Sequence, residues 1–152
     1  MKPIATFNVR TRASKHFFRC KVFKTDADMY AYFLSYCKRR EKLSNNIEAG
    51  HFDKSCQFHA IVNPVEWLKK VDEEWVRHTN IGEALFCKPH LNAALIAHEM
   101  LHCAMWHDRL IEGNANAEYG ADIGEAEERM GHVLYDFVKS FVNQCRKKKH
   151  FQ

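Results

Sequence analysis

The sequence predicts a single α+β domain, with helices packed on a small antiparallel or mixed sheet of about four strands. Segments in which apolar and polar residues alternate, as in strands, are mixed along the chain with segments of helical spacing. Hydrophobic residues make up 46% of the 152 residues, which is enough to fill one core. We expect three parts: an N-terminal sheet and helix at 1–64, a motif-bearing part at 81–145 and a basic tail at 146–152.

The chain begins with two predicted strands and a predicted helix. Residues 3–10 and 16–25 alternate between apolar and polar side chains, which predicts two strands joined by a short polar turn. Thr25 or Asp26 can cap the helix that follows, because short polar side chains accept hydrogen bonds from the free N–H groups of a first turn. The apolar residues at helical spacing predict that this helix runs to about residue 42.

The middle of the chain is predicted to hold one strand and one helix. The strand covers residues 56–62 and ends at Asn63-Pro64, and it carries His59, which either faces solvent or approaches a site from the sheet. A helix is predicted at 65–77, because large apolar side chains recur there every four positions, at Trp67, Val71 and Trp75. All three tryptophans are expected in the core or at its edge: Trp67, Trp75 and Trp106.

The C-terminal half is predicted to be a strand followed by two helices. Residues 81–87 form the strand, and Pro89 suits the first turn of the next helix. That helix ends near Gly113, and the last helix runs to about Cys145.

Composition indicates a cytoplasmic protein with modest charge. Six cysteines are scattered without a CxxC pair, and neither a signal peptide nor a membrane-spanning apolar run is visible, so reduced structural thiols are expected. Much of the net charge of +4 lies in two clusters, at 38–42 and 146–150. Solvated helix ends explain these clusters better than a nucleic-acid surface does, because few aromatic residues interleave with the lysines.

One short motif, HEMLH at 98–102, carries the chemistry. Positions four apart on a helix lie one turn above another, so His98 and His102 point the same way and can meet one ion. Glu99 lies about 100° further round and is placed to reach a water on that ion. The alternative is a pair of satisfied core histidines. Since residues 91–106 contain no Lys, Arg or Asp, the three polar residues are not part of a solvated face, which favours a metal site.

A third protein ligand is needed to complete such a site while leaving a position for water. Asp108 would lie well away from the histidines if the helix continues through it. The better candidates are glutamates in the first two turns of the last helix: Glu125, Glu127 and Glu128. Helical periodicity places Glu127 on the buried side of that helix.

The order of these features resembles the gluzincin class of zinc metallopeptidases. It is similar to the compact forms common in phages and mobile elements, and more distantly to ImmA/IrrE-type peptidases. In those proteins a short strand leads into the HExxH helix, and the third ligand commonly opens an E-x-x-A-type motif on the next helix. Here Glu128 opens Glu-Arg-Met-Gly, with Gly131 in place of alanine, and the resemblance covers residues 81–141. It implies a zincin-like fold and puts Glu128 before Glu127 as third ligand.

The resemblance also implies a function, a zinc-dependent hydrolase that cleaves a protein or peptide substrate. Glu99 would act as general base towards a metal-bound water, and an oxyanion donor is expected from Tyr135, His132 or Tyr119. Two alternatives stay open: a catalytically idle zincin-fold interaction or regulatory protein, and a DNA-associated protease-like protein that uses the basic clusters.

Overall fold

A computed structural model of the chain describes residues 2–43, 59–64, 68–114 and 123–147. Its architecture is α+β, as predicted. The strands and helices, in chain order, are β1 (Ala5–Arg10), β2 (Phe17–Phe23), α1 (Asp26–Leu43), β3 (Ala60–Pro64), β4 (Leu68–Val71), β5 (Glu74–Arg77), β6 (Asn80–Cys87), α2 (Ala93–Leu110) and α3 (Ile123–Lys147). Within the described residues, no helix is long and apolar enough to cross a membrane.

The main sheet has four strands in the order β1-β2-β6-β3 and is mixed. Strand β2 pairs with β1 antiparallel and with β6 parallel, while β3 pairs with β6 antiparallel. The prediction left open an antiparallel or a mixed sheet of about four strands, and the described strands form a mixed one. Strand β6 is buried along its whole length in the middle of this sheet, and β3 forms one edge.

Helices cover both faces of the sheet. On one face, β2 and β6 contribute side chains that pack against α2 and α3, and the fully buried members of this layer include Phe18, Cys20, Val22, Phe86, Met100, Cys103, Phe137 and Phe141. On the other face, α1 places Met29 against Phe23 and Leu85. The predicted alternation of β2 is thus explained by two apolar layers, one on each side of the strand.

The prediction of a helix at residues 65–77 was wrong, because residues 68–77 form the hairpin β4–β5; residues 65–67 lie outside the described part of the chain. Four is a multiple of the two-residue period of a strand, so side chains four positions apart lie on one face of a strand as well as on one face of a helix. The two residues between the strands, Asp72 and Glu73, both have positive φ, at 49° and 66°. Two-residue hairpins need this conformation, but usually signal it with Asn-Gly or Asp-Gly. Trp75 is 68% exposed, so its expected place in the core or at its edge was wrong too, and Trp67 lies outside the described residues.

Several predicted boundaries also differ from the structure. Pro89 lies in a separate 3₁₀ turn, Lys88–His90, and α2 begins only after the capping residue Asn92. Helix α1 starts as expected, since the Thr25 hydroxyl accepts a hydrogen bond from the backbone N–H of Asp28. The five cysteines in the described part of the chain are free thiols, as predicted, and Cys56 lies outside it.

A buried carboxylate joins α3 to the turn between β1 and β2. Asp136 Oδ2 accepts hydrogen bonds from the Thr11 hydroxyl at 3.1 Å and from the Arg12 backbone N–H at 3.0 Å. The Arg12 guanidinium lies 3.0 Å from Oδ1. Burial alone would raise the pKa of Asp136, but these hydrogen bonds and the arginine charge outweigh it and lower the pKa.

Replacing Gly82 by alanine is predicted to destabilise the fold by about 1–3 kcal/mol through overpacking. A Cβ on Gly82 would lie 2.5 Å from Phe18 Cε1 and 2.7 Å from the Asn63 carbonyl oxygen, so β3 would have to move. The control is Gly131→Ala in α3, where an added Cβ meets nothing within 4 Å and helix propensity adds up to about 1 kcal/mol. Urea unfolding of both variants measures this, and a Gly82→Ala protein as stable as wild type would contradict the packing.

Replacing Asp136 by asparagine is predicted to cost about 1–3 kcal/mol at neutral pH, because buried hydrogen bonds to a charged acceptor are weakened. The pKa of Asp136 is lower in the folded chain than in the unfolded one, so its stabilising effect is present above about pH 4 and is lost as pH falls through the folded value. Denaturant unfolding from pH 7 down to pH 2.5 should therefore show the two proteins converging. A difference that stays constant with pH would contradict this role.

Candidate functional site

Helix α2 presents the two motif histidines together, as predicted. The helix is capped at its start, where the Asn92 side chain accepts a hydrogen bond from the Leu95 backbone N–H at 2.9 Å. The two histidines lie one turn apart, and their Nε2 atoms are 3.1 Å from each other. Two imidazole nitrogens that converge in this way can meet one ion between them.

Helix α2 is buried on one side only and His98 is exposed, which corrects the expectation that the three polar residues of the motif are not part of a solvated face. The side that faces the sheet and α3 carries Met100, Cys103 and Ala104, while His98 is exposed and His102 is half-buried. The outer side can be exposed at little cost because several of its residues are alanines, namely Ala93, Ala94 and Ala97. The histidine pair therefore lies at the border between the core and solvent.

An open cleft of about 360 Å³ lies between α2 and the edge strand β3. It is lined by Ala60, Ile61, Val62, His98, Glu99, His102 and Trp106. A strand was predicted at 56–62 with its end at Asn63-Pro64, but β3 continues through both of these residues, and residues 56–58 lie outside the described part of the chain. Its place beside the motif helix depends on strand order, which local patterns do not encode. Trp106 was expected in the core or at its edge, and it borders this cleft.

Glu99 is buried, at 9% exposure, and yet it lines the cleft. Burial raises the pKa of this carboxyl, and the neighbouring His102 and His98 offset part of that rise. A buried carboxylate next to two converging imidazoles is placed to accept a proton from a water between them.

The third ligand is not brought to the histidines by the described side chains. Glu128 is exposed on α3, and no third carboxylate, imidazole or thiol in the described part of the chain joins His98 and His102 in a ligand group. The side chains of Glu125 and Glu127 lie outside the described residues. Asp108 is buried and accepts a hydrogen bond from the Asn114 side chain at 3.0 Å, in line with its expected distance from the metal-binding side.

The predicted oxyanion donors on α3 do not line the cleft. His132 is exposed, and Tyr135 is 58% exposed beside Lys139, whose ammonium lies 5.8 Å from the ring centroid. Tyr119 lies outside the described residues. The role of an oxyanion donor is thus not assigned to any side chain of the described cleft.

His107 points away from the cleft, as its position on the helix predicts. It is fully buried and shares a hydrogen bond of 2.8 Å with the Ser14 hydroxyl, and its ring packs edge-on against Phe137. Burial lowers its pKa, which keeps the imidazole neutral inside the core. This histidine joins α2 to the loop after β1.

A second group of possible metal ligands was not predicted from the sequence. Asp26, His59 and His90 each offer a ligand atom, and these atoms all lie within 4.8 Å of one another. The three residues are far apart in the chain and share no motif, so the sequence gives no sign of the group. Only His59 stood out beforehand, as a histidine in a predicted strand.

Comparison with known proteins adds no relative to this picture: no family model, curated protein or solved structure matches the chain. The site is therefore interpreted from its own geometry. Two converging histidines and a buried glutamate border a cleft, which is an arrangement suited to metal-assisted removal of a proton from water.

Proposed function

We propose that the protein is a zinc-dependent hydrolase, most plainly a peptidase, whose ion is held by His98 and His102. The observation that carries this proposal is the 3.1 Å approach of the two Nε2 atoms in a cleft that Glu99 also lines. Neutral imidazole is a preferred zinc ligand, and a glutamate one position after the first histidine is placed to act on a water instead of binding the ion.

The donor set fits zinc if one glutamate of α3 completes it. Helix α3 packs against α2, so its glutamates belong to the element next to the motif helix. We propose Glu128 as the third ligand on the basis of the resemblance, with Glu127 next and Glu125 after it. Glu128 is exposed, so its side chain would have to turn towards the histidines. Binding to the ion would stabilise that orientation.

Glu99 is proposed as the general base. When bound, zinc would supply the positive charge that lowers the pKa of a neighbouring water and polarises a carbonyl group. Glu99 would accept a proton from that water and later donate it to the leaving amine. Its burial favours the first of these steps, because a raised pKa makes the carboxylate a stronger base.

The shape of the cleft supports an extended peptide as substrate. One side of the cleft is β3, which among the described residues is an edge strand of the sheet. Such an edge can pair with an extended chain through main-chain hydrogen bonds. Val62 and Trp106 line the same space on the α2 side of the sheet, and their apolar side chains would favour apolar residues in that chain.

A catalytically idle interaction protein is the second candidate. The volume of about 360 Å³ is at the lower end for binding sites, and the described side chains supply two ligands to the histidine site, not three. Zinc binding without hydrolysis would select this candidate. The side chains of the first basic cluster, at 38–42, lie outside the described residues. The structure therefore adds no observation in favour of DNA binding.

The first prediction from this proposal concerns zinc. His98→Ala or His102→Ala is expected to remove about one zinc equivalent from the full chain relative to wild type, because the remaining histidine cannot hold the ion without its partner. Glu128→Ala and Glu127→Ala distinguish the third ligand, since only the true ligand lowers zinc affinity by about 100-fold or more. His132→Ala is the matched control, an exposed histidine on α3 that does not line the cleft. Metal analysis and zinc titration measure the result, and full zinc retention in both histidine variants would refute the assignment.

The second prediction separates binding from turnover. Glu99→Gln is expected to keep its zinc and lose hydrolysis by roughly 10²–10⁴-fold, because the amide cannot accept a proton. Glu112→Gln, the same change at an exposed position just after α2, is the control and should retain activity. Cleavage of a mixed set of unstructured peptides, followed by mass spectrometry, measures both. An active Glu99→Gln protein would remove Glu99 from this role.

A further inference from the structure

We infer that Asp26, His59 and His90 form a second site for a divalent transition-metal ion, separate from the histidine pair of α2. Their ligand atoms lie within 4.8 Å of one another. The three residues come from three segments: the start of α1, the position before β3 and the 3₁₀ turn after β6. This inference does not depend on the proposed hydrolase activity.

The sheet topology brings the three residues together. Strands β2 and β6 are parallel, with Phe23 opposite Cys87, so the residues that follow the two strands leave the sheet at the same end. Strand β3 is antiparallel, with Ala60 opposite Phe86, so the residue that precedes it lies at that end as well. The group is therefore held by the pairing of three strands and not by one flexible loop.

The contacts within the group suit a bound ion. His90 Nε2 lies 3.1 Å from Asp26 Oδ2, and the rings of His59 and His90 lie 3.9 Å apart between centroids, tilted by 35°. The other oxygen of Asp26, Oδ1, is buried and makes no hydrogen bond of good geometry with a described residue. The acidic first turn of a helix explains why Asp26 is found there, but it does not explain two histidines that converge on it from distant positions.

The Cys87 thiol lies close to Asp26. Burial, together with Asp26, raises the pKa of Cys87 to about 12, which keeps that residue a thiol. Cys87 is not one of the three grouped residues, so the donors are two imidazoles and one carboxylate.

This donor set selects the kind of ion. Two imidazoles favour zinc and its transition-metal neighbours over calcium and magnesium, which prefer oxygen ligands. Three protein donors leave the remaining positions to water. His90 and Asp26 are partly shielded, with side-chain exposures of 33% and 44%, so an ion can reach them from solvent.

A metal ion here would fix one border of the cleft. His59 directly precedes Ala60, the first of the three β3 residues that line the cleft beside α2. An ion that joins His59 to Asp26 and His90 would hold the start of this edge strand against α1 and against the turn that leads into α2. The ion is thus assigned a structural role, in which it would hold β3 in its position beside the cleft.

The test uses the full chain with the first site disabled. In the His98→Ala/His102→Ala double variant, freed of metal by chelation, titration with zinc is expected to show one remaining equivalent and a raised melting temperature. Adding Asp26→Asn, or separately His90→Ala, should weaken that binding by about 100-fold or more. His78→Ala, at a position just before β6 and outside the group, is the matched control and should leave the binding unchanged.

A second measurement keeps the test valid if a variant folds poorly. Nitrogen shifts of histidine rings in the double variant identify the ligands directly, and zinc should shift the resonances of His59 and His90. No zinc binding in a folded double variant, or binding that both Asp26→Asn and His90→Ala leave unaltered, would overturn the inference. Neither result bears on zinc binding by His98 and His102, which the single variants at those positions report.

Discussion

The parallel pairing of β2 with β6 is the constraint on which the arrangement of this molecule depends. It requires the chain to cross from one strand to the other, and that crossing contains α1, β3 and the hairpin β4–β5. Because β3 then adds to β6 in the opposite direction, the edge of the sheet lies beside α2. The cleft and the Asp26, His59 and His90 group both result from this order of strands. Gly82 in β6 shows how closely the neighbouring strands approach, since no Cβ fits between the Phe18 side chain and the backbone of β3.

Three buried carboxylates show how the same chemical group serves stability at two places and a candidate reaction at the third. Glu83 in β6 accepts a hydrogen bond from the Tyr32 hydroxyl at 2.7 Å and forms a salt bridge with Lys21 at 3.2 Å, which joins α1 to the sheet. Asp136 is paired with Arg12. Glu99 differs because it borders an open cleft and its pKa is raised by burial. Such an environment is unfavourable for stability and useful for proton transfer.

The sequence was sufficient to predict elements whose signals are local. Strands β1 and β2 follow from alternation, and α1 follows from its cap at Thr25. The convergence of His98 and His102 follows from helical spacing alone. The hairpin was missed because a four-residue repeat fits both periodicities and because Asp72-Glu73 is an uncommon sequence for its turn. The edge position of β3 and the grouping of Asp26 with His59 and His90 were not predictable, since both depend on pairing between distant segments.

The position of the motif on α2 explains how one helical turn can serve two opposed requirements. A hydrolytic metal needs a side that is open to water and substrate, whereas a general base gains from removal of solvent. Residues on the outer side of α2, including Leu101 at 39% exposure, face away from the core, and Met100 and Cys103 lie within it. His98 and His102 lie at the border of the two sides, and Glu99 lies just inside it at 9% exposure. A helix that was buried all round would have kept the glutamate but closed the histidines to solvent, so half-burial of α2 is the property that a reactive site here requires.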